Sequence, residues 1–338
     1  MMYTPYSYGN GYFYTPPPPS PQDIERKNLR STALAVGALL LTHIGAMQLV
    51  YPLIVLLLTA VGFFPVNAMS ESMLGVDNTT YLLIYGVVYA LAMGLPMMII
   101  CFQSNKFWPL SPAKPVSGRV GLFGILGGIG ACMLANIVTS YILTILSEFG
   151  VSIPETPKMM DNTITSYLLN LLIIAVLPGI LEEMVFRGCV LRMLRPYGDL
   201  FAVFVSALTF GLMHGNLRQI PFATIVGLVL GWLYVTTNNI WIPIVVHFLN
   251  NAVSVTMEYL AFSLPEASVD IFYTVIIIAL AALGVVFGIL LVVLDRRELK
   301  LNSKHSVLSG GQRFATVLKA PTFLIAMILF AVLTLLGM

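Results

Sequence analysis

The sequence predicts an all-α fold, namely a polytopic transmembrane helical bundle of about eight core helices plus one additional C-terminal helix. Of its 338 residues, 58% are hydrophobic and only 9% are charged, whereas soluble domains carry about 25% charged residues. The mean hydropathy is +0.90. A spanning helix needs about 20 mainly apolar residues. Nine stretches are candidates, near residues 31–62, 81–102, 120–147, 166–190, 200–215, 219–237, 240–262, 271–294 and 320–337.

The chain divides into three predicted regions. Residues 1–30 are a Pro- and Tyr-rich arm, and its first part cannot bury enough apolar surface to fold, so we expect a disordered cytoplasmic segment. Residues 31–294 form the transmembrane core. Residues 295–338 comprise a basic linker and a terminal transmembrane helix, which we expect to be an appendage to the core.

The distribution of basic residues predicts the orientation. With nine helices, almost all Lys and Arg residues fall on one side of the membrane, which the positive-inside rule makes cytoplasmic. We therefore expect a multi-pass protein of a bacterial cell membrane, embedded in the lipid bilayer, with a cytoplasmic N-terminus. The net charge is only +2 and the basic residues are scattered, so nucleic acid is not an expected partner.

Ionisable side chains inside membrane spans are costly and mark functional sites by default. In the fourth stretch, Glu183 and Arg187 are four residues apart, so they share a helix face and can form an ion pair. Glu182 lies about 100° around the same helix and is left free to act as a general acid or base. The alternative is that both glutamates only hold Arg187 in place.

Two further stretches carry polar side chains at helical spacing. Phe210 and His214 share one face of the fifth stretch, and His247 and Asn251 share one face of the seventh, from which Asn250 points away. A histidine and an amide on one face could donate hydrogen bonds to a developing oxyanion. Each pair alone could equally serve interhelical packing.

Together, the motifs EExxxR, FxxxH and HxxxN are more specific than any of them alone. In this order, on separate apolar helices, they resemble the three motifs of the CAAX protease and bacteriocin-processing family of intramembrane endopeptidases. The resemblance covers roughly residues 165–255. It implies an enzyme that hydrolyses a peptide bond in a peptide or membrane-anchored protein substrate.

The resemblance also implies a role for each motif residue. Glu182 would activate the hydrolytic water with His214, whereas His247 and Asn251 would hold the tetrahedral oxyanion. The supporting residues would be Glu183, Arg187 and Phe210.

Metal dependence stays open at the level of sequence. The chain has no HExxH motif, and a metal-free mechanism without any cofactor is favoured. Zinc remains an alternative, because Glu182, His214 and His247 are residue types that bind it.

Two other classes of function would use the same buried charges. One is a transporter or proton-coupled carrier, which would be expected to show paired broken helices in matching halves. The other is a non-catalytic peptide-binding membrane scaffold. The complete set of acid, base and oxyanion candidates favours the peptidase.

The motif histidines are predicted at different depths. His247 lies near the start of its stretch, whereas His214 lies near the end of the fifth. Two arrangements would bring them together. Either the fourth helix continues beyond Val190, so that the fifth begins deeper in the membrane, or the fifth and sixth stretches form a re-entrant hairpin around residues 216–219.

Four further features carry expectations of their own. We expect His43 to hydrogen-bond a neighbouring helix, Glu258 to lie near the membrane surface or to line the cavity, and His305 to be solvated. The glycine-rich residues 124–131 are typical of close helix packing.

Overall fold

Helices make up nearly all of the part of the chain that the computed structural model describes, which confirms the predicted all-α class. The described part comprises residues 6–8, 12–14, 17–70, 72–104, 109–153, 160–297, 299, 301 and 306–336.

Ten helices of seven or more residues follow one another along these residues, where a π-helical or 3-10 segment inside a continuous helix is taken as part of that helix. They are α1 (Pro21–Ala60), α2 (Asn78–Ser104), α3 (Gly118–Glu148), α4 (Ile164–Tyr197), α5 (Asp199–Met213), α6 (Ile220–Thr237), α7 (Trp241–Ala261), α8 (Glu266–Leu294), α9 (Gly310–Leu318) and α10 (Pro321–Leu335). The remaining elements are two short 3-10 turns, Ala68–Ser70 and Ser72–Gly75, and an antiparallel strand pair, β1 (Tyr6–Tyr8) and β2 (Tyr12–Tyr14).

Six of these helices are long and apolar enough to cross a membrane, namely α1, α2, α3, α4, α6 and α8. The helices α9 and α10 would make a seventh span if they act together, although they meet at a bend of 79°. The predicted count of nine was higher because two of the stretches fall short. The helix α5 has only 15 residues, and α7 carries several polar side chains. The chain is a multi-pass membrane protein.

The first helix begins earlier than predicted. Residues 21–30 were expected in the disordered arm, but α1 starts at Pro21, and Leu29 is fully buried. The local reason is a helix N-cap, in which the Ser20 hydroxyl accepts a hydrogen bond from the backbone N–H of Asp23. Residues 1–5, 9–11 and 15–16 of the predicted arm lie outside the described residues.

The C-terminal segment is part of the bundle and not the appendage that we predicted. The hydroxyl group of Thr322 donates to the carbonyl of Leu34 at 2.8 Å, and Gly37 of α1 lies against the backbone at Phe323. Phe323 and Phe330 are buried in the main core cluster. The position of His305 lies outside the described residues.

Close helix packing is confirmed in the glycine-rich part of α3. Gly130 faces Gly284 of α8 so closely that a Cβ atom on either residue would overlap the backbone of the other. Gly127 also lies close to Gly288, with 3.0 Å between a Cβ atom built on Gly127 and the Gly288 Cα, whereas a Cβ atom on Gly288 would meet nothing within 4 Å. The absence of side chains at these positions lets the two backbones meet.

We predict that Gly130→Ala destabilises the protein by about 1–3 kcal/mol, because the added methyl group forces α3 and α8 apart. The matched control is Gly94→Ala in α2, where a Cβ atom would meet nothing within 4 Å. Thermal unfolding in detergent measures both variants. Equal melting temperatures for the two variants would contradict the packing described here.

Candidate active site

The helix α4 is irregular on both sides of its two glutamates. The α-helical segment Leu177–Glu183 lies between two π-helical segments, Leu171–Val176 and Met184–Leu191. Such segments are frequent at functional sites. The helix continues past Val190 to Tyr197, as the first of the two arrangements proposed to bring the motif histidines together requires.

The predicted ion pair between Glu183 and Arg187 is present. Arg187 Nη1 donates to Glu183 Oε1 at 2.8 Å, and both side chains have zero exposure. Arg187 Nη2 also donates to the carbonyl of Gly227 in α6 at 3.2 Å. The bond to Gly227 joins α4 to α6, while Glu183 Oε2 and Arg187 Nε have no hydrogen-bond partner among the described residues.

Glu183 also binds the histidine of the third motif. His247 Nδ1 lies 2.8 Å from Glu183 Oε1. Because the carboxylate accepts, the proton of the ring lies on Nδ1. His247 Nε2 is then directed to the other glutamate, 3.8 Å from Glu182 Oε2.

Glu182 turns away from Arg187, as the helical phase predicted, but it still has a hydrogen-bond donor. The hydroxyl group of Tyr89 in α2 donates to Glu182 Oε1. Within the described residues, the buried Oε2 atom has no hydrogen-bond partner. Tyr89 was missed because it lies 93 residues before Glu182, and no pattern in the sequence marks one tyrosine of an apolar helix.

His214 and Phe210 lie at the C-terminal end of α5. His214 Nδ1 is 2.9 Å from the backbone carbonyl of Phe210. A carbonyl only accepts, so Nδ1 carries the proton and Nε2 is left with a lone pair. The ring of Phe210 lies beside both histidines, with centroid distances of 5.1 Å to His214 and 5.9 Å to His247. The guanidinium of Arg187 lies over the same ring at 4.6 Å.

Asn251 is oriented by an irregularity of α4. Pro178 has no N–H to donate to the carbonyl of Ile174, one turn earlier. Asn251 Nδ2 donates to that carbonyl at 3.0 Å, and Asn250 Nδ2 donates to Asn251 Oδ1 at 3.0 Å. The prediction that Asn250 points elsewhere was wrong, because its amide is directed along α7 to Asn251.

One cavity joins these groups. It has a volume of about 1330 Å³, and its lining includes four of the predicted catalytic residues, Glu182, His214, His247 and Asn251. Phe210, Tyr89 and Asn250 also line it, whereas Glu183 and Arg187 do not. The volume is enough for many water molecules at about 30 Å³ each, so the cavity can hold both water and a peptide segment.

Two of the remaining predictions also concern this cavity. His43 Nδ1 lies 3.3 Å from the carbonyl of Ala92 in α2, which confirms the predicted hydrogen bond to a neighbouring helix. Glu258 lines the far part of the cavity together with Glu266 and Asp270 of α8.

The described side chains do not form a metal cage. Among the described residues, no group of three His, Cys, Asp or Glu side chains is placed so that it could hold a metal ion. In the zinc alternative, the ligands would be Glu182, His214 and His247. Both imidazoles use Nδ1 in hydrogen bonds to protein oxygens, which leaves Nε2 as the nitrogen that could bind a metal, as in many zinc sites.

Comparisons with known proteins match the part of the chain that carries the motif residues. Residues 164–253 match the family model described as "Type II CAAX prenyl endopeptidase Rce1-like", and all the motif residues lie within this range. The chain is similar to YdiL of Bacillus subtilis (strain 168), which bears the name of a membrane peptidase, with 29% identity over 105 residues. That match covers 31% of this chain and 43% of the relative.

A second relative is the "Membrane-embedded CAAX protease MroQ" of Staphylococcus aureus (strain USA300), with 28% identity over 147 residues, 41% of this chain and 58% of the relative. The chain thus spans about half the length of the curated relatives it matches. No solved structure matches it. The similarity to the Rce1-like family model is thus confined to residues 164–253, the part of the chain that carries the three motifs.

Proposed function

We propose that the protein is an intramembrane endopeptidase that hydrolyses a peptide bond in a peptide or membrane-anchored protein. The observation that carries this proposal is the convergence of Glu182, His214, His247 and Asn251 on one cavity in a membrane protein. The match to an endopeptidase family and the names of both relatives support it.

Glu182 and His214 are proposed to activate the water. Glu182 Oε2 and His214 Nε2 each have a lone pair to accept a hydrogen bond from one water molecule. As the water oxygen attacks the substrate carbonyl carbon, its proton passes to Glu182. The protonated Glu182 then gives this proton to the amide nitrogen, and the carbon–nitrogen bond breaks.

His247 and Asn251 are proposed to hold the oxyanion that forms in this step. One N–H of the Asn251 amide is used on the Ile174 carbonyl, which leaves the second for the substrate. Because His247 Nδ1 carries the ring proton, Nε2 can donate only in the imidazolium form. The ring lies between the carboxylates of Glu182 and Glu183, with Nε2 3.8 Å from Glu182 Oε2 and Nδ1 2.8 Å from Glu183 Oε1. Donors fixed before the reaction contribute most to such stabilisation.

We predict that Glu182→Gln lowers cleavage at least about 100-fold, because an amide cannot accept the proton of the water. A library of membrane peptides incubated with the purified protein in nanodiscs, with cleavage sites read by mass spectrometry, measures this loss. Glu148→Gln, at the exposed end of α3, is the matched control and should cleave like the wild type. Full cleavage by Glu182→Gln would remove the proposal.

We predict that Arg187→Met destabilises the protein by about 3–5 kcal/mol, because it leaves the Glu183 charge buried without its cation. The double variant Glu183→Gln/Arg187→Met should recover much of that stability. Its activity should stay low, since His247 loses its carboxylate partner. Unfolding in detergent and the peptide cleavage assay give the two readouts. A double variant as unstable as Arg187→Met would contradict the role given to the ion pair.

We propose that the water is activated without a metal, which the absence of a three-donor group among the described residues supports. Cleavage should therefore persist after dialysis against a chelator. Metal analysis of the active protein should find well under one zinc ion per chain. Activity that is lost on chelation and restored by added Zn²⁺ would refute this mechanism.

A further inference from the structure

We infer that Tyr89 is a positioning residue for Glu182. The hydroxyl group of Tyr89 holds Oε1, so that Oε2 is the oxygen left to accept the proton of the water. The inference rests on the proposed peptidase function. Tyr89 lies in α2, outside the matched residues 164–253, so neither the family match nor the three motifs include it.

The geometry divides the two oxygens of Glu182 between two tasks. Tyr89 and Glu182 are both buried, with 8% and 5% exposure. The Tyr89 hydroxyl donates to Oε1, and Oε2 remains without a hydrogen-bond partner among the described residues, 3.8 Å from His247 Nε2. A free carboxylate can rotate about its last bond, and one hydrogen bond to Oε1 removes most of that freedom.

The type of donor also fits the task. Glu183 is held by the cation Arg187 in an ion pair at 2.8 Å. Glu182 is held by a neutral phenol, which orients the carboxylate without adding a positive charge. The two adjacent glutamates therefore differ in the charge of their partners, and the one with the neutral partner faces the cavity.

The ring of Tyr89 is held independently of its hydroxyl group. It stacks on Tyr85 with a centroid distance of 5.9 Å, and Tyr85 stacks on Tyr81 at 6.2 Å. These tyrosines recur at every fourth residue along one face of α2. Removal of the hydroxyl group alone should therefore preserve the packing of the helix, which separates a positioning role from a structural one.

The test compares Tyr89→Phe with Tyr81→Phe, which removes a hydroxyl group from the same stack at a residue that does not line the cavity. For the peptide that the wild type cleaves fastest, we expect Tyr89→Phe to lower kcat about 10- to 100-fold, with KM changed less than about threefold. The melting temperature should stay at the wild-type value. Tyr81→Phe should leave kcat, KM and the melting temperature unchanged.

A double variant shows whether the effect passes through Glu182. Tyr89→Phe/Glu182→Gln should be no slower than Glu182→Gln alone, because a group that acts only by orienting the carboxylate has nothing left to orient. A wild-type kcat in Tyr89→Phe would overturn the inference. So would a double variant in which the two losses multiply.

An infrared measurement separates this inference from the proposed function. The carboxylate band of Glu182 is obtained as the difference between the wild type and Glu182→Gln. It should shift in the Tyr89→Phe background and not in the Tyr81→Phe background. Full cleavage by Glu182→Gln together with this shift would refute the peptidase mechanism but keep the contact, whereas an unshifted band would refute the contact itself.

Discussion

The site depends on one carboxylate oxygen that two helices share. Glu183 Oε1 accepts from Arg187 of its own helix and from His247 of α7, both at 2.8 Å, and neither Glu183 nor Arg187 is exposed. A fully buried charge is tolerated only when it is paired. Because Glu183 Oε1 binds partners on both helices, α4 and α7 must keep their relative positions. These relative positions set the direction of the His247 ring and determine that its Nε2 edge faces Glu182.

The rest of the site follows from the irregular course of α4. A regular helix satisfies its own carbonyl groups, but Pro178 leaves the carbonyl of Ile174 without its usual donor. Asn251 fills this place and is thereby held at the cavity wall. Adjacent glutamates on the same helix then meet different surroundings, a cation for Glu183 and a phenol for Glu182. One segment of backbone thus determines the surroundings of the proposed water-activating group and the orientation of the proposed oxyanion donor.

The sequence predicted the features that depend on helical phase. The face shared by Glu183 and Arg187, and the separation of Glu182 from it, follow from 3.6 residues per turn. The contact between Tyr89 and Glu182 does not follow from helical phase, because it depends on how two helices far apart in the chain cross.

The start of α1 at Pro21 carried a local signal in Ser20 and Asp23, but the Pro-rich residues just before it indicated a disordered segment. The count of spans failed for a different reason, since apolar content alone cannot distinguish a 15-residue helix such as α5 from a full crossing. The packing of α10 on α1 likewise depends on which residues face each other across the bundle, and hydropathy contains no such information.

The protonation of the His247 ring tests the shared carboxylate most directly. The sequence has four histidines, so nitrogen NMR of labelled protein in nanodiscs can assign each ring by single substitutions. We predict that the His247 ring carries its proton on Nδ1 in a strong hydrogen bond, and that this bond is weakened or lost in Glu183→Gln while the His43 ring signals stay in place. Identical His247 signals in the wild type and in Glu183→Gln would contradict it, because Glu183 would then not hold the ring.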